Sequence, residues 1–243
     1  MSITKNKLSG AIKAHDKDVI NADEPIIKNT KACVSLIIGR KRSGKSSLYL
    51  SMLNHPDMYR GYFHNIFMIC PSKSDSKMSD LMKELEKDGK LFDAVNDANI
   101  NSITGIIKGE MTKKQMKEKK TGKKLPDIRN LIIMDDVVSD LPRSHKKNPV
   151  TNLFYNCRHL NASIICISQS YKNIHPNLRK QADQLFIFPM ANKKETEALQ
   201  DDWDIPSEIF DYAFEDESDH PFLLVNVCGS KNRFFRKFDK INI

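Results

Sequence analysis

The stretch Cys33-Val34-Ser35-Leu36-Ile37-Ile38-Gly39-Arg40-Lys41-Arg42-Ser43-Gly44-Lys45-Ser46 decides how this chain is read. Its first part is a short, nearly continuous apolar run, the composition of a strand buried on both faces. From Gly39 it fits GxxxxGK[ST], and the residues from Lys45 onward continue as a helix. The order strand, glycine-rich loop, helix is what phosphate binding requires. Glycines let the backbone curl so that successive N–H groups face an anion, and the helix amino terminus adds its positive end. Lys45 is expected to reach the β- and γ-phosphates, and the Ser46 hydroxyl to bind Mg²⁺. The expected nucleotide-binding set is Gly39, Arg40, Lys41, Arg42, Ser43, Gly44, Lys45, Ser46 and Ser47. Arg40, Lys41 and Arg42 either add charge near the phosphates or face solvent.

Nucleotide hydrolysis also needs an acid at the tip of a neighbouring strand. Asn130-Leu-Ile-Ile-Met134 is a second buried-strand run, and it ends in Asp135 and Asp136. Two adjacent acids there are poorly explained by packing, because an unpaired buried charge is costly. Asp135 is read as the Mg²⁺-side carboxylate, acting through water, and Asp136 as the group that orients or deprotonates the attacking water. A further run, Ser163-Ile-Ile-Cys-Ile-Ser168, ends at Gln169, an amide able to touch both γ-phosphate and water. Asn192-Lys-Lys-Glu195 resembles a guanine-reading NKxD, but glutamate is one methylene too long and Val138 stands where glycine is expected. ATP is therefore the expected nucleotide.

Further runs, Asn65–Cys70 and Gln184–Phe188, read as strands, with helices expected at Met78–Lys87, Val150–His159, Lys193–Gln200 and Ser207–Phe214. The tail His220–Cys228, Gly229, Arg233–Phe238 reads as two strands joined by a turn. Alternating strands and helices predict an α/β fold, three-layered with a mainly parallel central sheet. Residues 1–30 are polar and read as an arm or short helical preface, leaving 31–243 as one domain.

Composition narrows the class. The chain has 243 residues, of which 40% are hydrophobic, enough for a core and against general disorder. No run approaches the roughly 18–20 apolar residues of a membrane span. The start, MSITKNKLSG, lacks the apolar centre of a signal peptide, so a soluble, cytosolically made protein is expected. Five cysteines without CxxC spacing, four of them in strand-like runs, predict reduced core thiols rather than disulfides or zinc. The net charge of +8 is unevenly spread. Seven lysines and one acid lie between Lys113 and Lys124, whereas Glu195–Ser230 holds eleven acids and no lysine or arginine. The lysine segment reads either as a solvated loop or as the frayed end of a helix starting near Ile103.

The order of these motifs resembles the FtsK–HerA superfamily of DNA-pumping ATPases, and more closely the poxvirus-type genome-packaging ATPases of large DNA viruses and virophages. The residues that carry the likeness are Gly39–Ser46, Ile132–Asp136, Asn156-Cys-Arg158-His159 leading into Ile165–Ser170, Leu178–Asp183, Pro221–Val225 and Arg233–Arg236. The resemblance implies a three-layer RecA-like P-loop NTPase fold, with 31–243 as the ATPase motor domain, and ATP hydrolysis with Mg²⁺. It further implies a homo-oligomeric ring of six or five subunits, double-stranded DNA as the moving substrate, and a capsid vertex or portal component as docking partner. It also implies action in the cytoplasm of the infected cell, at the viral factory, or in association with the virion. Arg158, at the end of the helix before the Gln169 strand, is the first choice for an arginine finger acting on the neighbouring subunit. Arg179 is the second. The acid at Asp136 is a glutamate in many motors of the superfamily. A helicase or conjugation-type pump shares the same core, and a P-loop small-molecule phosphotransferase or a non-hydrolysing interaction protein are the readings from other classes.

Overall fold

A computed structural model describes residues 21, 23–28, 30–71, 79–137, 148–215, 220–227 and 233–242. The expected apolar runs become β1 (Val34–Ile38), β2 (Asn65–Ile69), β4 (Asn130–Asp135), β5 (Ala162–Ser168) and β6 (Gln184–Ile187). Together with β3 (Leu91–Phe92), β7 (Leu223–Asn226), β8 (Arg233–Arg236) and β9 (Asp239–Lys240) they form one sheet in the order β3-β2-β4-β5-β1-β6-β7-β8-β9. The first six strands in that order are parallel, and β7 to β9 extend the β6 edge antiparallel.

Strands buried on both faces need cover on both, and the helices supply it. One face packs on α1 (Lys45–Asn54) and α2 (Ser79–Lys87), with Ile37 and Ile133 meeting Leu48, Tyr49, Met52 and Met82. The other face packs on α3 (Asp97–Thr121), α4 (Pro149–Asn156), α6 (Lys193–Trp203) and α7 (Ser207–Phe214), with Leu36, Ile38 and Ile132 meeting Ile103, Phe154, Leu199 and Ile209. The fold is thus three-layered. A one-turn helix, α5 (Pro176–Arg179), and a 3-10 segment, Cys157–Leu160, complete the described elements.

Two expectations need correction. The lysine segment is not a loop, and the helix that holds most of it starts six residues before Ile103, at Asp97. Asn96 caps that start by accepting the Asn99 N–H at 2.8 Å, and Gly122 ends the helix in the left-handed region at φ 67°. Lysine is a good helix former, while Gly105 and Gly109 hide the pattern in the sequence. Cys33 and Cys70 flank their strands rather than lie inside them; Cys157, outside the strand-like runs in the sequence as well, lies in the 3-10 segment. All three are buried thiols outside any disulfide, as is Cys166 in β5. Cys228, Val138, Gly229 and most of the amino-terminal arm lie outside the described residues. The described residues 23–28 are held to the sheet. Gln184 donates to the Pro25 carbonyl at 3.0 Å, Asn226 to the Glu24 carbonyl at 2.7 Å, and Ile27 is buried.

Candidate nucleotide-binding site

β1 lies between β5 and β6, and the phosphate loop leaves its carboxyl end pinned to both neighbours. Gly39 N–H donates to the Ser168 carbonyl at 3.2 Å, and Arg40 N–H to the Pro189 carbonyl at 3.1 Å. Two glycines here are sterically required. A Cβ on Gly39 would stand 2.4 Å from Phe188 Cβ, and Gly44 has φ +104° with the His220 ring 2.8 Å from where its Cβ would be. Helix α1 begins immediately after Gly44, with no side-chain cap and no acid in its first turn. Its free N–H groups and positive end are therefore directed at the loop.

Lys45 is 9% exposed, and its ammonium donates to the Gly39 and Arg40 carbonyls at 2.8 and 2.9 Å. Burial lowers its pKa, while the charges of Asp135 and Asp136 work the other way. Ser43 Oγ is buried with no hydrogen-bond partner among the described residues. A buried hydroxyl in a loop of inward N–H groups suits an anion's oxygen. The donors present here therefore fit a nucleotide's phosphates. Arg40, Lys41 and Arg42 are exposed, so sequence position alone does not bring them into the cradle.

Asp135 is the last residue of β4 and stands in one row with Ile167 of β5 and Ile37 of β1. It is 7% exposed and accepts the Tyr49 hydroxyl at 3.1 Å. Tyr49 is wholly buried on α1, four residues after Lys45, so one helix presents the lysine and steadies the acid. One residue further on, Asp136 turns outward with φ 56°. Gln169, just beyond β5, donates through Nε2 to Oδ1 and Oδ2 of Asp136, each at 3.0 Å. The structure thus brings Lys45, Ser46, Asp135, Asp136 and Gln169 to the carboxyl ends of adjacent parallel strands. Tyr49 and His220 were missed by sequence reading: a tyrosine in a helix and a histidine in a connecting segment carry no local signal. Asn192 has a plain structural role. It caps α6, accepting the Glu195 N–H at 3.1 Å.

The two arginines lie apart from this cluster. Arg158 is exposed in the segment that precedes β5, at the amino end of that strand. A seven-residue strand separates it from the phosphate loop's edge of the sheet, roughly 20 Å at about 3.3 Å per residue. It therefore stands far from this chain's own phosphate loop. Arg179 is engaged within the fold: its guanidinium meets Asp202 at 2.6 Å and lies 4.3 Å from the Tyr171 ring centroid.

A phosphate cradle beside an acid-tipped strand, in a central parallel sheet of this order, defines a P-loop NTPase of RecA-like architecture. Residues 28–201 match the Poxvirus A32 protein family, and the chain belongs to that family. It is 25% identical over 163 residues to the uncharacterized protein L437 of Acanthamoeba polyphaga mimivirus, a match covering 65% of this chain and 54% of that protein. The chain thus spans about half the length of this curated relative. The genome packaging NTPase B204 of Sulfolobus turreted icosahedral virus 2, in complex with AMP, superposes with a TM-score of 0.58. It is 18% identical, over 84% of this chain and 97% of that one. B204 of Sulfolobus turreted icosahedral virus, a DNA-packaging ATPase, gives a TM-score of 0.54 at 20% identity, over 85% and 98%. At these identities the two structures establish the likeness of fold.

Proposed function

We propose that this protein is an ATPase that drives double-stranded DNA into a preformed viral capsid. The observation that carries the reading is the Gln169–Asp136 contact at the mouth of the phosphate loop, in a chain of the Poxvirus A32 protein family. Support comes from the likeness to the two B204 structures, both of packaging NTPases and one of them in complex with AMP.

In this reading the loop N–H groups from Gly39 to Ser47 cradle the phosphates. Lys45 exchanges its bonds to the Gly39 and Arg40 carbonyls for phosphate oxygens and neutralises charge that develops during transfer. Ser46 and Asp135 would hold Mg²⁺, the latter through water, and the ion would supply charge neutralisation at the phosphates. Asp136 orients and deprotonates the attacking water. Gln169, bonded to Asp136 now, exchanges that contact for the γ-phosphate and so reports nucleotide state along β5.

The protein acts as a homo-oligomeric ring of five or six subunits, docked on a capsid vertex or portal component in the infected cell's cytoplasm. Arg158, remote from its own loop, serves the neighbour's site in a head-to-tail ring. Duplex DNA is held by phosphate contacts from α3. Its 25 residues span about 37 Å, yet its buried residues, Ile100, Ile103 and Ile107, all lie in its first half. The second half carries Lys113, Lys117, Lys119 and Lys120 exposed, while Lys114 is held by Asp127 and Glu118. No helix among the described residues is long and apolar enough to cross a membrane.

The test is steady-state ATP hydrolysis with and without long duplex DNA, alongside a strand-separation assay. Duplex-stimulated hydrolysis without strand separation is expected. Strand separation would make the protein a helicase, and turnover only with a small acceptor would make it a phosphotransferase.

A further inference from the structure

Glu195 lies in the first turn of α6, where an acid commonly folds back to cap its own helix. Here both carboxylate oxygens point elsewhere. Oε1 accepts the Ser170 hydroxyl at 2.7 Å, and Oε2 accepts the backbone N–H groups of Tyr171 and Lys172 at 2.7 and 3.0 Å. The side chain is buried, and a buried carboxylate with three donors is a satisfied and tightly placed group. The residues it holds immediately follow Gln169. The turn is closed from the other side as well: Ser168 Oγ donates to the Ser170 carbonyl at 2.6 Å and accepts the Ser170 N–H at 3.0 Å.

Helix α6 also grips the turn at its far end. The Tyr171 hydroxyl donates to Asp202 at 2.7 Å and accepts the Trp203 indole N–H at 2.7 Å. At its near end, the same β6–α6 junction touches the phosphate loop, where Pro189 accepts the Arg40 N–H. One rigid segment therefore contacts the loop that would bind phosphate and the turn that carries the amide beside Asp136. We propose that Glu195 is a positioning residue: by fixing residues 170–172 to α6 it sets where Gln169 stands relative to Asp136, and so sets the rate of hydrolysis.

This inference rests on the reading of Gln169 given above. It predicts a rate effect without a binding effect, because Glu195 bonds the turn and not the cradle. It also predicts which substitution is tolerated. In Glu195→Gln the amide oxygen can still accept the two N–H groups while its NH₂ donates to Ser170 Oγ, since a hydroxyl both donates and accepts. Glu195→Ala leaves both N–H groups without that acceptor and frees the turn.

The experiment measures kcat, KM for ATP and thermal midpoint for the parent, Gln169→Ala, Glu195→Ala, Glu195→Gln, Ser170→Ala and the double Glu195→Ala/Gln169→Ala. Glu195→Ala is expected to lower kcat by about tenfold or more, on the scale of the roughly 10²-fold loss that a 1 Å misplacement causes. KM should stay within about twofold of the parent, and the conservative Gln variant should hold near-parent kcat. The double variant should be no slower than Gln169→Ala alone, because both changes remove one function. A Glu195→Ala kcat equal to the parent's, or losses that multiply in the double variant, overturns the proposal. If Glu195→Ala does not fold, Ser170→Ala decides, since it removes one of the three hydrogen bonds and must show the smaller loss of the same kind. If Gln169→Ala itself hydrolyses at the parent rate, the reading of Gln169 fails and this proposal with it. An impaired Gln169→Ala beside a normal Glu195→Ala sinks this proposal alone.

Discussion

Helix α3 offers a test of how the protein holds DNA. Lys113, Lys117 and Lys120 are exposed and stand at i, i+4 and i+7, within roughly 60° of arc and about 10 Å of helix length. Lys114 is left out because Asp127 and Glu118 already hold it. Each lysine that neutralises a phosphate adds about 0.9 to the slope of log affinity against log salt, so replacing the three by glutamine should flatten it by about 2.7. Over a rise from about 50 to 200 mM salt, the parent should lose roughly 40-fold more affinity than the variant. Glutamine forms helices well and the positions are exposed, so folding should not change. Fluorescence anisotropy of a labelled duplex, titrated across a series of salt concentrations, reads both numbers. Lys108 lies roughly 120° or more around the helix from this stripe, and its replacement should leave most of the slope in place. A triple variant with the parent's slope, or a control that flattens it equally, refutes the assignment of this face.

Asp136→Asn keeps an oxygen for Gln169 but loses the charge that activates water, so kcat should fall by about 10²–10⁴ while an ATP analogue binds within about tenfold of the parent. Parent-rate hydrolysis would remove that role. Arg179→Ala removes the Asp202 pair and the Tyr171 stack, which should cost about 1–2 kcal/mol and lower Tm by about 2–8 °C with kcat nearly intact. An unchanged Tm with lost hydrolysis would instead make Arg179 the finger. Mixing Arg158→Ala with Lys45→Ala subunits, each nearly inactive alone, should restore partial hydrolysis, because some sites then pair an intact Lys45 with a neighbour's intact Arg158. A ring of Arg158→Ala subunits hydrolysing ATP at the parent rate would exclude that residue.

The parallel core was legible because its main strands are apolar runs, four of the five closed by a glycine, proline or acid, as in Val34–Ile38 before Gly39 and Asn130–Asp135, and β5 by Gln169. The strands β3 and β9 have two residues each, too few for any periodicity to register. Helix α3 was legible only as one of two readings, because half of it has no buried face and the apolar spacing that betrays a helix stops near Met111. At the site, Lys45, Asp135, Asp136 and Gln169 announce themselves through strand-end positions. The residues that set them in place do not. Tyr49 meets Asp135 across 86 residues of sequence, and Glu195 meets Tyr171 across 24. Such contacts exist only once the sheet order brings β1, β4, β5 and β6 together.

The central claim is that ATP hydrolysis at this site moves the protein along duplex DNA. Displacement of a third strand from a DNA triplex reports such movement without requiring the duplex to open. The parent should displace it in ATP, and should fail with a non-hydrolysable analogue, as should Lys45→Ala in ATP. A protein that hydrolyses ATP briskly on the same DNA yet leaves the third strand in place would contradict the account.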